Sequence, residues 1–204
     1  MIIYLFAVLT FVATSCDSEE VSKGKLQDSS SGNKKSIKSD INEELELIKV
    51  FYTEYINQCN NGGILIDVFE ISETNEGYIE ASIDRYKQEL IKFSFSNQFI
   101  VKEIGKWNDC VRDLQRLEYN SYINDDIDIS ENCSNLYFYQ WLRSQEVPDE
   151  VSVTKISDND NEFKVTFSFV DSNGEKFNFG NYSIVKTKKI EGKVYIDSID
   201  VLLN

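Results

Sequence analysis

The sequence predicts an α+β fold in which N-terminal helices pack on a curved antiparallel sheet formed by the C-terminal strands. Two observations carry this prediction. Between residues 41 and 147, apolar side chains mostly recur every three or four positions, and beyond Pro148 they recur at every second position. The first period is typical of helices and the second of half-buried strands. Helices followed by an antiparallel meander form an α+β layout.

The segment before this domain has the composition of an export signal. Residues 2–12 are apolar apart from Thr10, and they are too few for a membrane span, which needs about 20 residues. The small residues Ala13-Thr14-Ser15 then precede Cys16, an arrangement that resembles the lipobox of bacterial lipoproteins. The resemblance implies that residues 1–15 are a lipoprotein signal peptide and that acyl chains on Cys16 anchor the mature protein in a lipid bilayer. The alternative is cleavage without lipidation.

Residues 16–40 are predicted to be the acylated cysteine and a flexible tether, because Val21, Leu26 and Ile37 are the only sizeable apolar side chains after Cys16. Acidic residues at 17–20 look like the tract that steers some bacterial lipoproteins to the outer surface. We therefore expect a bacterial cell-envelope protein, an outer membrane lipoprotein that is periplasmic or surface-exposed. Residues 41–204 have the size of a single domain.

Four helices are predicted in the first part of the domain. Asp40 is a suitable N-cap for the first, and a strand at residues 64–71 separates it from the second. Ser96 is the predicted N-cap of the third helix, and residues 135–144 form a short fourth. The apolar stripes of the first three are Ile41, Leu45, Ile48, Tyr52, Tyr55, Ile56 and Cys59; Ile79, Ile83, Tyr86, Leu90 and Phe93; and Ile100, Ile104, Trp107, Val111 and Leu114.

The remaining residues predict strands joined by hairpins at 171–174 and 191–192. In the last two strands the alternation slips by one position, at Gly180-Asn181 and at Asp197-Ser198. A β-bulge absorbs such a slip, so we predict two bulges, with Phe177 and Tyr182 on one face of the sheet. Bulges in neighbouring strands make a sheet curl.

A curled sheet over helices that come first in the chain resembles the cone of the cystatin-like, or nuclear-transport-factor-like, superfamily. More narrowly, the segments FYTEYI (51–56), LEYNSYINDD (117–126) and GKVYIDSIDV (192–201) are similar to an uncharacterised family of bacterial lipoproteins. The resemblance covers residues 41–204 apart from an aromatic insertion at about 127–147. That family has no assigned activity, so the resemblance implies a fold and an anchor but no catalytic residues.

The composition excludes several classes of function. Acidic residues outnumber basic ones by 35 to 21, and the net charge of −14 would repel nucleic acid. The absence of histidine excludes Ser-His-Asp and Cys-His catalysis and histidine-bound zinc. We expect no cofactor and no metal, because nucleotide-binding motifs are missing and the acidic stretch at 125–131 lacks the glycine and glutamate of an EF-hand loop.

The insertion is rich in aromatic residues, among them Tyr137, Tyr139 and Trp141. As a helix it would be apolar around nearly its whole circumference, which water does not tolerate. The plainer interpretation is that these residues are part of the core. The alternative is that Tyr137, Tyr139 and Trp141 line a ligand groove or a partner face.

Three cysteines remain after lipidation, enough for one disulfide in an oxidising compartment. Cys59 lies in the middle of an apolar stripe, where a free thiol behaves as a buried hydrophobe. Cys110 lies off the centre of its stripe and Cys133 lies in a loop, so we reason that both are exposed and predict a Cys110–Cys133 disulfide. A reactive Cys133 is disfavoured because the neighbouring acids raise a thiol pKa.

These observations predict a membrane-tethered, non-enzymatic binding module for an unknown protein or small-molecule ligand. One alternative is an immunity-type lipoprotein that neutralises a toxin by charge complementarity. Another is an enzyme that uses a carboxylate and a tyrosine in the cone cavity. A pocket with an inward-facing acid beside a tyrosine would favour the enzyme, and a flat acidic patch would favour the immunity protein.

Overall fold

The computed structural model describes residues 32–124, 133, 139–157 and 161–203, with side chains from residue 42 onward. The described residues have the α+β layout that the sequence predicts. Strands β3 to β6 form a four-stranded antiparallel sheet in chain order, and β1 and β2 form a separate hairpin. The elements are α1 (Gly32–Asn61), β1 (Glu70–Glu73), β2 (Ile79–Ser82), α2 (Asp84–Lys92), α3 (Asn97–Leu114), α4 (Tyr119–Ile123), β3 (Glu150–Lys155), β4 (Glu162–Val170), β5 (Lys176–Ile190) and β6 (Lys193–Leu202).

The first and third predicted helices are confirmed, with one change of boundary, and the second is confirmed from Asp84 onward. Helix α1 begins at Gly32 rather than at Asp40, so it includes the last residues that we assigned to the tether. From Ile48 to Cys59, its apolar stripe is buried as expected. Helix α3 begins after Ser96, whose Oγ accepts a hydrogen bond from the Phe99 amide at 3.1 Å. Among the described helices, none has the length and apolar character that a membrane crossing requires.

The predictions between α1 and α2 are largely wrong. Residues 64–66 form a turn, and the strand that we placed at 64–71 begins only at Glu70. Ile79, assigned to a helix, begins β2 and pairs with Glu73 of β1. Its spacing from Ile83 mimics a helix, but Gly77 has a φ of 85° and closes a hairpin just before it. The turn signal of that glycine therefore outweighs the helical spacing.

The bulge predicted in the last strand is confirmed. Lys186 of β5 pairs with Ser198, whereas the next residue, Thr187, pairs with Ile196, so Asp197 is one extra residue in β6. A single extra residue reverses the alternation of side chains beyond it. Ile196 and Ile199 therefore both face the core despite their odd spacing.

The irregularity predicted in β5 also exists, but its geometry differs from our expectation. Thr166 pairs with Tyr182 and Ser168 pairs with Asn178, so four steps along β5 lie opposite two steps along β4. Gly180, with a φ of 98°, lies inside this interval. Two extra residues preserve the alternation of side chains, where one would reverse it.

The prediction that Phe177 and Tyr182 share a face is consequently wrong. Phe177 pairs with Phe169, which belongs to the same face of β4 as the buried Phe167. Tyr182 lies on the outer face, where the Lys164 ammonium sits 4.2 Å from the centre of its ring.

The core lies between α1, α3 and the inner face of the four-stranded sheet. Helix α1 packs against β3, and α3 packs against β6. The largest fully buried side chains come from both halves of the chain: Trp107, Tyr52, Tyr55, Tyr86, Phe51, Phe163 and Phe167 among them. This core supports the segment at 139–144, which forms one wall of the candidate site.

Candidate functional site

Residues 139–144 form a tight turn, which we call the Tyr139–Ser144 turn. The Tyr139 amide donates to the Ser144 carbonyl at 3.0 Å, and the Arg143 amide donates to the Tyr139 carbonyl at 2.7 Å. Arg143 has a φ of 48°, in the left-handed region. The predicted helix at 135–144 is therefore wrong over the described residues 139–144, while Tyr137 lies outside the described residues.

The turn is fixed to α1 through two of the three aromatic residues that we proposed for a ligand face. The Tyr139 hydroxyl donates to the Cys59 carbonyl at 3.1 Å, and the Tyr55 hydroxyl accepts from the Trp141 amide at 3.4 Å. Trp141 is only 3% exposed. Its ring lies among those of Phe51, Tyr55, Tyr86 and Phe95, with centroids 4.8 to 6.5 Å away. Trp141 is thus a core residue, with almost none of its surface accessible to solvent.

The opposite side of the turn is held by the inner face of β5. Asn181, next to the glycine of the β5 irregularity, donates from Nδ2 to the Leu142 carbonyl at 3.0 Å. The buried Ser183 hydroxyl donates to the Trp141 carbonyl at 3.4 Å. The backbone of the turn is therefore held from two directions, which keeps its strained conformation in place.

Beneath the turn lies a buried polar network that includes Tyr86 and Glu103, which are 0% and 1% exposed. The Tyr86 hydroxyl donates to Glu103 Oε1 at 3.1 Å and accepts from Gln140 Nε2 at 2.6 Å. Burial, reinforced by the charge of Glu103, raises the pKa of Tyr86 well above its usual value, so Tyr86 stays protonated and can donate. Glu103 Oε2 also pairs with the Lys106 ammonium at 2.5 Å. Tyr86 and Glu103 thus position Gln140 and Lys106.

These two positioned side chains belong to a groove of about 590 Å³ between α3, the Tyr139–Ser144 turn and the end of β6. Its volume lies within the range of about 300–1,000 Å³ that is usual for ligand sites. We call it the basic groove, and its lining consists of Lys102, Lys106, Gln140, Trp141, Arg143, Ile199, Asp200, Val201, Leu202 and Leu203.

The charge of the basic groove is opposite to that of the whole protein. It contains three cations, Lys102, Lys106 and Arg143, against one acid, Asp200. Lys102 and Lys106 are four residues apart and so lie on one face of α3. Within the described part of the chain, neither Lys102 nor Arg143 forms an ion pair. Because salt screens charges beyond about 8 Å, these cations attract a small anion in spite of the net charge of −14.

The predicted disulfide between Cys110, near the end of α3, and Cys133 is present, although part of the reasoning that led to it is wrong. Cys110 and Cys133 form a disulfide with a Cα–Cα distance of 4.9 Å. Both are fully buried, whereas we reasoned that both are exposed. Cys59 is a buried free thiol, and burial raises its pKa to about 12. Its thiol therefore stays protonated and unreactive near neutral pH.

Other sequence-based assignments fall on parts of the chain outside the described residues. Cys16, with the proposed lipid anchor, and the whole acidic stretch at 125–131 are among them. Among the described residues, no group of three acidic or cysteine side chains is placed to hold a metal ion.

The sequence analysis did not find the groove's three cations. A signal existed for two of them, because Lys102 and Lys106 have the spacing of one helix face, opposite to the stripe of Ile100 and Trp107. Arg143 carried no such signal. In comparisons with protein-family models, curated proteins and solved structures, nothing matches the chain. The functional argument therefore depends on the groove.

Proposed function

We propose that this chain is an exported bacterial lipoprotein, anchored through acylated Cys16, that works as a non-enzymatic binding module. Its binding site is the basic groove, and its ligand is an anion with an apolar portion. The finer fold in this proposal is the cystatin-like cone of the lipoprotein family that the sequence resembles. The irregularities at Gly180 and Asp197 support that fold, because bulges bend the strands that contain them.

The observation that carries the proposal is that contacts within the protein hold the groove's polar side chains in place. Lys106 is held by the buried Glu103, and Gln140 is held by Tyr86. Arg143 projects from a backbone in the left-handed conformation, which costs on the order of 1–3 kcal/mol and so needs support from its surroundings. Groups that are already ordered lose little entropy when a ligand binds.

The position of Glu103 and Tyr86 favours binding over catalysis. Tyr86 and Glu103 are the pair that the enzyme alternative requires, but neither lines the groove. The Tyr86 hydroxyl donates its only proton to Glu103, so that proton is not available to a reacting group. The immunity-type alternative calls for a flat acidic surface, and a concave site with three cations is the opposite of that.

Octanoate, a carboxylate with an apolar chain, is a simple ligand with which to test the groove. We expect millimolar octanoate to raise the melting temperature of the soluble Cys16→Ser protein, because binding to the folded state stabilises it. The response should be lost in Lys102→Gln/Arg143→Gln. A matched control, Lys87→Gln/Lys188→Gln, removes two exposed cations outside the groove and should respond like the parent. Equal responses in all three proteins, or none in the parent, would contradict the proposal.

The anchor is tested separately, by metabolic labelling with a palmitate analogue in a bacterial host. The wild type should be labelled and should fractionate with membranes, whereas Cys16→Ser should be unlabelled and soluble. Cys59→Ser is the matched control, because it removes a different cysteine and should keep the label. A wild type without label would refute the lipoprotein assignment while leaving the groove proposal intact.

A further inference from the structure

We propose that the ligand of the basic groove is a short peptide that adds as an extra strand to the outer edge of β6. An acidic side chain of this peptide would contact Lys102, Lys106 and Arg143. This inference rests on the proposed function, because it assigns a chemical class to the ligand of the same groove. Three observations carry it: a free strand edge, a matching volume and complementary charge.

The free edge belongs to the second half of β6. This strand ends the sheet order β3-β4-β5-β6, so only one of its edges pairs with the sheet. In its first half the outer edge is occupied: the Ile196 amide donates to the Ser94 carbonyl at 2.9 Å, and the Ser96 amide donates to the Ile196 carbonyl at 2.8 Å. In the described part of the chain, the outer edge of residues 199–202 has no such partner. Free backbone groups of this kind are what an added strand pairs with.

The volume of the groove matches that of a short strand. Four residues in extended conformation occupy about 13 Å along the strand, about 4.8 Å between strands and about 10 Å between packed layers, or roughly 600 Å³. The groove measures about 590 Å³ and runs along Ile199 to Leu203. The groove is therefore of the size that one strand of four residues would need between β6 and the wall formed by α3 and the turn.

The side chains around the edge indicate which peptide would fit. Leu202 and Leu203 are 40% and 65% exposed, so an apolar residue beside them would gain contact area. The cations lie on the opposite wall, on α3 and in the turn. Asp200, two residues before Leu202, would repel an acid placed at the β6 end. We therefore expect peptides with apolar residues toward β6 and one or two acids toward α3.

A second copy of this chain is a poorer occupant of the same edge. Pairing two β6 edges would bring Lys102, Lys106 and Arg143 of both copies close together, and it would join two molecules that each carry a net charge of −14. Like charges that face each other across an interface disfavour association. A short peptide with one or two carboxylates brings no second set of cations to the groove and adds far less negative charge than a second copy of the chain would.

The first experiment selects peptides from a phage-displayed library of random heptapeptides on the Cys16→Ser protein. Counter-selection on Lys102→Gln/Arg143→Gln removes peptides that do not need the cations. We expect enriched sequences that combine apolar residues with Asp or Glu and bind the parent at least 10-fold more tightly than the double variant. Asp200→Asn should bind them more tightly than the parent does. No enrichment over the double variant would overturn the inference.

The second experiment tests strand addition itself. Backbone groups of a strand point alternately toward and away from a neighbour. N-methylation of an enriched peptide at every second residue should therefore weaken binding about 10-fold or more, and N-methylation of the intervening residues should have little effect. If N-methylation is tolerated equally at all positions, the strand geometry is overturned. It is also overturned if the parent sediments as a dimer that the peptide does not dissociate.

The two proposals can fail separately. If octanoate stabilises the parent but no acidic peptide is enriched, the groove is a site for small amphipathic anions, and only the present inference is overturned. If neither octanoate nor any peptide depends on Lys102 and Arg143, the proposed function fails as well.

Discussion

The two halves of β6 differ in what covers their outer edge. Before the bulge at Asp197, the edge of Ile196 is paired with residues 94–96 and its side chain is fully buried. After the bulge, the edge borders the basic groove and Leu202 is 40% exposed. One extra residue therefore separates a half that serves stability from a half whose edge is open. A single bulge thus allows one strand to stabilise the core with its first half and to keep an open edge in its second half.

The largest difference between the two halves of β6 should appear when one side chain in each half is truncated. Ile196→Ala should lower the free energy of unfolding by about 2–5 kcal/mol, because it leaves a cavity in the core. Leu202→Ala should change it by only about 0.5 kcal/mol, as expected for a surface substitution. Urea denaturation with an unchanged m-value measures both. Similar losses for the two variants would mean that the halves are not energetically distinct.

The sequence could predict the bulge in β6 because apolar residues mark the core face on both sides of it. The same reasoning failed in β5, where polar residues lie on that face. Ser183 and Thr187 are buried, and each hydroxyl has a partner: the Trp141 carbonyl for Ser183 and Glu44 Oε1, at 2.8 Å, for Thr187. A buried hydroxyl that forms a hydrogen bond is stable, but it is invisible to a search for apolar alternation.

The site was harder to predict than the fold, because its parts are distant in the sequence. Helix α3, the Tyr139–Ser144 turn and β6 meet only through tertiary packing. The turn was mistaken for a helix because its aromatic residues show no period of their own. Trp141 is buried by partners from α1 and α2, and these contacts cannot be inferred from the sequence around Trp141. Ser96, by contrast, was correctly predicted, because an N-cap acts on the next few residues.

A smaller effect is expected from removing the disulfide. This change tests whether the part of α3 that stabilises the fold is separate from the part that borders the groove, as the two halves of β6 are. Cys110→Ala/Cys133→Ala opens a loop with a sequence separation of 23 residues. The chain-entropy model gives a loss of about 3 kcal/mol for such a loop. Cys110 lies two helical turns beyond Lys102, roughly 12 Å along the axis, so the octanoate response should persist. A variant that loses both its stability and this response would contradict the separation.

The smallest expected effect concerns Ser96, where α3 and the covered half of β6 meet. Its hydroxyl caps α3, while its amide donates to the Ile196 carbonyl. Ser96→Ala keeps the amide and removes the cap, so we expect a loss of about 1 kcal/mol, because the buried Phe99 amide loses its acceptor. Hydrogen exchange should accelerate at Phe99 but not at Ile196, since the bond between the strand edge and residues 94–96 is intact. Faster exchange at both amides would show that the cap and the edge form one cooperative unit, so that the first half of β6 depends on the helix that also carries the groove's lysines.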